Sequence, residues 1–183
     1  LAVPPSTRLF KSLDERALDV RAFLLLKDCT VVLERYKDGL TRDHNHAVYS
    51  VTKSVVSTLA GIQLGDGRLA GIDLPVSRIM SRPLAARDAH WERASTLSLR
   101  NVMNMASGLG YAHNPTHHPI YDLRTDRFIF ALSLEPAARP GERFNYSDAD
   151  ASITGAVVAS AAGEDLYAFA RRAGRPTISS SSP

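Results

Sequence analysis

The sequence predicts an α+β fold: a short antiparallel element near the start, with helices after it. Two observations carry this reading. Residues 21–27 (RAFLLLK) and 30–36 (TVVLERY) are apolar, β-branched and aromatic runs separated by two residues, the pattern of a β-hairpin. From residue 50 onward the apolar side chains recur at helical spacing instead, in segments punctuated by Gly, Pro and Asp. Strands followed by a run of helices, without strict alternation, is the order of an α+β chain.

Taken in order, Pro4 and Pro5 mark an extended lead-in, and residues 9–18 fit a short helix. The hairpin turns at Lys27-Asp28-Cys29 and is closed by Lys37-Asp38-Gly39. The stretch Tyr49 to Lys53 leads into a helix carrying Val55, Val56, Leu59, Ala60 and Ile62, and Gly65-Asp66-Gly67 ends it. Gly71 to Pro75 reads as a turn. Ser98 is the expected N-cap of a helix to about Ala106, with Gly108 beyond its end. Tyr111 to Tyr121, rich in His, Asn and Pro, reads as loop. Residues 125–133 fit a helix, Pro136 to Gly141 a turn, and a further helix follows Tyr146-Ser147-Asp148 to about Ala162. Residues 165–172 begin another.

The character then changes. The tail from 173, AGRPTISSSSP, lacks apolar periodicity and ends in four serines before a proline. Such a composition cannot bury enough apolar surface to order itself. Residues 173–183 are therefore expected to be disordered, or to lie out of the reading frame that runs to about Arg172. The expected domain occupies residues 1–172.

Bulk properties narrow the function. The chain has 183 residues, 44% of them hydrophobic and 22% charged, which is ordinary globular composition. Its 22 basic and 19 acidic residues are scattered, leaving a net charge of +3 without the basic stripe of a nucleic-acid binder. A single cysteine, Cys29, excludes an internal disulfide and a CxxC motif, and is expected to act as a small apolar residue. No run of about 18 apolar residues suggests a membrane span. The first residues lack the basic and apolar regions of a signal peptide. The histidines (His44 and His46 ahead of residue 50; His113, His117 and His118 in the later loop) show no HExxH spacing. They read as solvated or hydrogen-bonding loop residues, and no metal is expected.

Ser50 and Lys53 carry the chemistry. Residues i and i+3 on a helix share a face, with Cβ atoms roughly 5–6 Å apart, so an amine at 53 reaches a hydroxyl at 50. A nucleophilic serine needs such a neighbour, because its alkoxide is inaccessible at neutral pH. The start of a helix also favours developing negative charge. Apolar neighbours would desolvate Lys53 and lower its pKa, fitting it to shuttle protons. A Ser-His-Asp arrangement has less support, since no G-x-S-x-G elbow occurs.

Three segments together are more specific than this pair. Tyr49-Ser50-Val51-Thr52-Lys53-Ser54, running into Leu64-Gly65-Asp66-Gly67-Arg68-Leu69, resembles the nucleophile segment of class C β-lactamase-like serine hydrolases. Leu97-Ser98-Leu99-Arg100-Asn101-Val102-Met103 with Ser107-Gly108-Leu109 resembles the next segment of that group. Pro140 to Asp148 (PGERFNYSD) resembles its Tyr-x-Asn element. The resemblance covers roughly residues 18–172 and implies the penicillin-recognising fold, a helical region beside an antiparallel sheet of which the opening hairpin is present here. It implies hydrolysis of an ester, amide or β-lactam through an acyl-serine, without a cofactor. Ser50, Lys53 and Tyr146 would be catalytic, with Tyr146 as general base or acid; Asp148, Tyr111 and His113 would contact substrate.

Two departures bear on the activity. Asp148 stands where many relatives carry Asn, and a carboxylate accepts hydrogen bonds where an amide can also donate. Asp148 would then cap the following helix, and its charge would hold Lys53 protonated. The third element of relatives, Lys/His-x-Gly on a strand well downstream that supplies half of the oxyanion hole, has no candidate after Asp148. A catalytically inactive fragment or binding module of the same fold is the alternative reading.

Overall fold

The computed structural model describes residues 5–80, 89–114, 118–122 and 124–174. The chain divides into two compact units, Leu1–Val48 and Tyr49–Pro183.

The first unit holds helix α1 (Pro5–Glu15) and a two-stranded antiparallel sheet, β1 (Ala22–Lys27) and β2 (Thr30–Tyr36). Pro5 opens the helix rather than lying in an extended lead-in; a proline fits the first helical position, where its missing N–H costs nothing. The helix accordingly starts and ends earlier than its apolar pattern suggested. The hairpin turns where expected. Asp28 and Cys29 both adopt positive φ (49° and 60°), the backbone that a tight two-residue hairpin turn needs. Cys29 is exposed there, so it does not serve as a buried apolar residue. Phe10 packs edge-on against Phe23 with ring centroids 5.4 Å apart, and Arg35 lies 4.2 Å above the Phe10 ring.

The second unit contains the hydrophobic core. Its middle is α7 (Asp148–Ala162), buried at Ala149, Asp150, Ile153, Thr154, Gly155, Val157 and Val158, positions that reach round most of its circumference. Around it pack α2 (Val51–Gly65), α3 (Val76–Ile79), α5 (Leu99–Met103), α6 (Arg127–Ser133) and α8 (Leu166–Ala173); α4 (Ala89–Thr96) lies against α3 and α6. α2 presents Val56, Leu59, Ala60 and Gln63 to the core, the i, i+3, i+4, i+7 stripe of an amphipathic helix. Gln63 is fully buried and donates from Nε2 to the Val158 carbonyl, 2.8 Å away, so one polar contact fixes α2 against α7. Fully burying side chains such as Ile153, Val157 or Phe169 contributes about 1.5–3 kcal/mol each.

Side-chain caps set the starts of α5, α6, α7 and α8. Ser147 accepts from the Asp150 N–H, Asp126 from Phe128 and Ile129, and Asp165 from Tyr167 and Ala168. Ser98 and Asn101 form a reciprocal capping box. That helix stops at Met103, short of Ala106, because Met105 turns to φ 52°. A 3₁₀ turn at Pro119–Tyr121 interrupts the segment expected to be loop, and α3 and α4 have no counterpart in the expected element order. Ala173 belongs to α8 rather than to a disordered tail; the expectation for the final residues concerns positions 175–183, outside the described residues.

Candidate active site

Two loops zip together ahead of α7. Ala137 and Ala138 donate to the Gly108 carbonyl, Gly110 to Glu135, Gly141 to Ala106, and Asn145 to Met105, all at 2.7–3.1 Å. Gly108 is required at this crossing: its φ is +80°, and a Cβ would stand 2.2 Å from the Ala138 carbonyl oxygen. The Asn145 side chain donates to the Tyr111 carbonyl at 2.9 Å. On the other side of Tyr146, Asp150 accepts from the Ser107 hydroxyl at 2.7 Å, the Ser107 N–H at 3.2 Å and the Ser147 hydroxyl at 3.1 Å. Tyr146 is thereby held between two anchored neighbours.

Ser50 precedes the first turn of α2 and is exposed. Its side chain makes no capping bond, which leaves the hydroxyl free for other partners. Tyr49 before it has φ 44°, uncommon for a bulky residue and a form of strain concentrated at functional positions. The first turn is tight, with Thr52 and Lys53 N–H groups donating to the carbonyls of Tyr49 and Ser50.

Six side chains singled out from the sequence meet in one cluster. Lys53 Nζ donates to Ser50 Oγ at 2.9 Å, and Ser50 Oγ lies 2.5 Å from Tyr146 Oη. Lys53 Nζ is also 2.5 Å from Asp148 Oδ1 and 5.1 Å from the centre of the Tyr146 ring. Asp148 Oδ2 accepts from Tyr111 Oη at 3.1 Å and lies 3.2 Å from His113 Nδ1. The His113 ring stands edge-on to Tyr146, 5.3 Å between centroids. Ser50 Oγ therefore has an amine and a phenol as its partners. No hydrogen bond joins it to a histidine among the described residues, so a Ser-His pair is not formed here.

Two expectations need correction. Burial does work to lower the Lys53 pKa, but the Asp148 carboxylate and the Tyr146 phenol beside it overrule burial and hold it above the ordinary lysine value. Lys53 is thus an ammonium, not an amine depressed by desolvation. Asp148 does not cap α7; Ser147 does, and the Asp148 side chain turns toward Lys53. Burial likewise works to raise the Asp148 pKa, yet Lys53 and the phenols keep it below the usual carboxylate range.

Tyr121 was not anticipated. Its hydroxyl donates to Asp148 Oδ2 at 2.5 Å. Neither spacing nor composition distinguishes it from other loop aromatics, so nothing in the sequence pointed to it. Asp150, buried at 1% exposure and with no cation among its hydrogen-bond partners, was also missed; burial pushes its pKa up. His117 lies outside the described residues, while His118 Nδ1 accepts from the Ile120 N–H and its ring stacks beside Tyr111. Among the described residues, no three His, Cys, Asp or Glu side chains group as a metal ion requires, and no helix is long and apolar enough to cross a membrane. A cleft of about 460 Å³ adjoins the cluster, lined by Lys53, Asp148, Tyr121, Val56, Phe128 and Gly155 among others.

A family model described as Beta-lactamase matches residues 8–173. The chain belongs to the beta-lactamase family. Solved structures agree with this fold. The beta-lactamase-family chain is similar to a provisionally named beta-lactamase from Bacteroides dorei DSM 17855, with 21% identity and a TM-score of 0.73 over 92% of this chain and 49% of that one. It is also similar to a provisionally named 6-aminohexanoate-dimer hydrolase from Bacillus anthracis, with 16% identity and a TM-score of 0.63 over 91% of this chain and 45% of that one. The octameric penicillin-binding protein homologue from Pyrococcus abyssi gives 17% identity and a TM-score of 0.63 over 91% and 40%. This beta-lactamase-family chain therefore spans half or less of the length of these structures. Comparison with curated proteins finds no match.

Proposed function

We propose that this chain carries the acylation centre of a serine hydrolase acting on ester or amide bonds, with Ser50 as nucleophile. One observation supports the reading above all: Ser50 Oγ lies between Lys53 Nζ at 2.9 Å and Tyr146 Oη at 2.5 Å.

Lys53, as an ammonium, can only donate to Ser50 Oγ. The serine hydroxyl then shares a proton with the phenol, and either oxygen can donate in that contact. Ser50 Oγ attacks the substrate carbonyl carbon while its proton passes to Tyr146 Oη and the phenol's own proton is passed on toward the leaving group. The ammonium and the positive end of α2 offset the negative charge of the tetrahedral intermediate. That relayed proton goes to the departing alcohol or amine, leaving acyl-Ser50. Water then attacks the acyl group, giving a proton to Tyr146 Oη as the phenol's own proton returns to Ser50 Oγ, which releases the acid and restores the serine. Asp148 acts through Lys53: both of its oxygens are already engaged by donors of this chain, so it holds the ammonium rather than the substrate.

The test is labelling of the purified chain by a fluorophosphonate, together with release of p-nitrophenol from p-nitrophenyl acetate. Ser50→Ala should abolish both. Labelling that persists at the native rate in that variant removes Ser50 from the role.

A second reading, a cleft that is acylated or merely occupied without turnover, is favoured by the same ion pair, because an ammonium at residue 53 cannot itself accept a proton. A single stoichiometric burst of p-nitrophenol without a steady state distinguishes it.

A further inference from the structure

Tyr121 joins no motif, yet it makes one of the shortest contacts in the cluster. Three donors and the His113 imidazole, from three segments, converge on the Asp148 carboxylate. Lys53 of α2 takes Oδ1, while Tyr121 of the 3₁₀ turn, Tyr111 and His113 of the loop after Gly110 gather at Oδ2 at 2.5, 3.1 and 3.2 Å. A carboxylate rotates about its Cβ–Cγ bond, and either oxygen can face a cation. Occupying one oxygen with fixed donors decides which oxygen the cation meets.

Tyr121 is well placed to be that fixed donor. Its neighbour Ile120 is 1% exposed, and the Ile120 N–H is capped by His118, whose ring packs against Phe130 at 5.3 Å. The backbone carrying Tyr121 is therefore anchored although its ring is partly exposed. Burial and the charge of Asp148 hold the Tyr121 phenol above its ordinary pKa, so it remains a donor through neutral pH. The charged or titratable groups facing Asp148 are Lys53, Tyr111, Tyr121 and His113, with Arg127 at the start of α6 lining the same cleft.

We propose that Tyr121 is a positioning residue: its hydroxyl pins Asp148 Oδ2, so that Oδ1 is presented to Lys53 and Lys53 to Ser50. The activity arm of the test below rests on Ser50 being the nucleophile; the structural arm does not.

The test uses the full chain and Tyr121→Phe, which keeps the ring and removes the donor. The Asp148 carboxyl is followed by ¹³C NMR as pH is lowered. Losing a donor to the charged form should shift its protonation equilibrium about tenfold, moving the midpoint up by about one pH unit. Fluorophosphonate labelling of Ser50 should slow about tenfold. Tyr121→Leu, which removes ring and donor together, should move the midpoint no further than Tyr121→Phe. A midpoint unchanged in Tyr121→Phe overturns the proposal, and so does a change seen only in Tyr121→Leu, since that assigns the effect to ring packing. A shifted midpoint with no labelling in either native or variant chain upholds the positioning role and removes the hydrolase reading instead.

Discussion

Asp148 and Asp150 stand two residues apart in the first turn of α7, and the fold displaces their carboxyl groups in opposite directions. Positions i and i+2 on a helix point to different sides. Asp148 meets the Lys53 ammonium; Asp150 points into the core, where hydroxyls and one N–H solvate it.

Their contributions to stability should therefore depend on pH with opposite signs. Asp148 sits below its ordinary value of 3.8, so it stabilises above that pH and the benefit is lost as pH falls through its lowered folded value. Asp150 sits above 3.8, so folding retains its proton, and stability declines as pH rises from 3.8 through the raised value. Melting temperatures of the native chain, Asp148→Asn and Asp150→Asn between pH 2.5 and 7 check this. The native lead over Asp148→Asn should shrink toward acid, and the native lead over Asp150→Asn should grow toward acid. Parallel curves would show that neither carboxyl is coupled to folding in this way.

Tyr146→Phe keeps a ring of the same shape and deletes the oxygen 2.5 Å from Ser50 Oγ. A positioned acid–base group contributes about 10²–10⁴-fold. The labelling rate of Ser50 should fall by at least about 10²-fold while the far-ultraviolet circular dichroism stays native. A rate within a few-fold of native would leave the phenol without a role in proton transfer.

Gly108→Ala places a methyl where the Ala138 carbonyl oxygen already lies, on a backbone with φ +80°. Both loops that carry Tyr111 and Tyr146 must shift to admit it. A loss of about 2–4 kcal/mol is expected, seen as a melting temperature lower by about 10 °C. A variant as stable as the native chain would mean that the crossing of these loops is looser than the hydrogen bonds of Gly108 and Gly110 imply.

What could be read from the sequence was whatever repeats locally. The hairpin was legible because apolar runs flank a short turn, and α2 because its buried residues follow the helical period. Ser50 and Lys53 were legible because one helical turn joins them. Helices α3 and α4 were not read: α3 is a single turn, too short for a period to emerge, and Val76 and the buried Trp91 that anchor the two to the core stand out only in the fold. Tyr121 escaped because its importance comes from a carboxylate reached only through the tertiary fold. For Lys53 two expectations pulled opposite ways, and the one in which the Asp148 charge holds it protonated is met, not the one from its apolar neighbours. Its apolar neighbours are visible along α2, but the Asp148 charge that overrules them arrives from another helix.

The site also has an order of assembly written into it. Ser50 and Lys53 come together as soon as one helical turn forms, whereas the phenol is 96 residues away along the chain. Closing a loop of that length carries a length-dependent entropic cost of about 4 kcal/mol, which the core packing around α7 must offset before the third member can arrive. During renaturation, the pairing of hydroxyl and ammonium is expected to precede the arrival of the phenol. Recovery of Ser50 reactivity after dilution from denaturant thus reports completion of the long-range topology, not the earlier winding of α2.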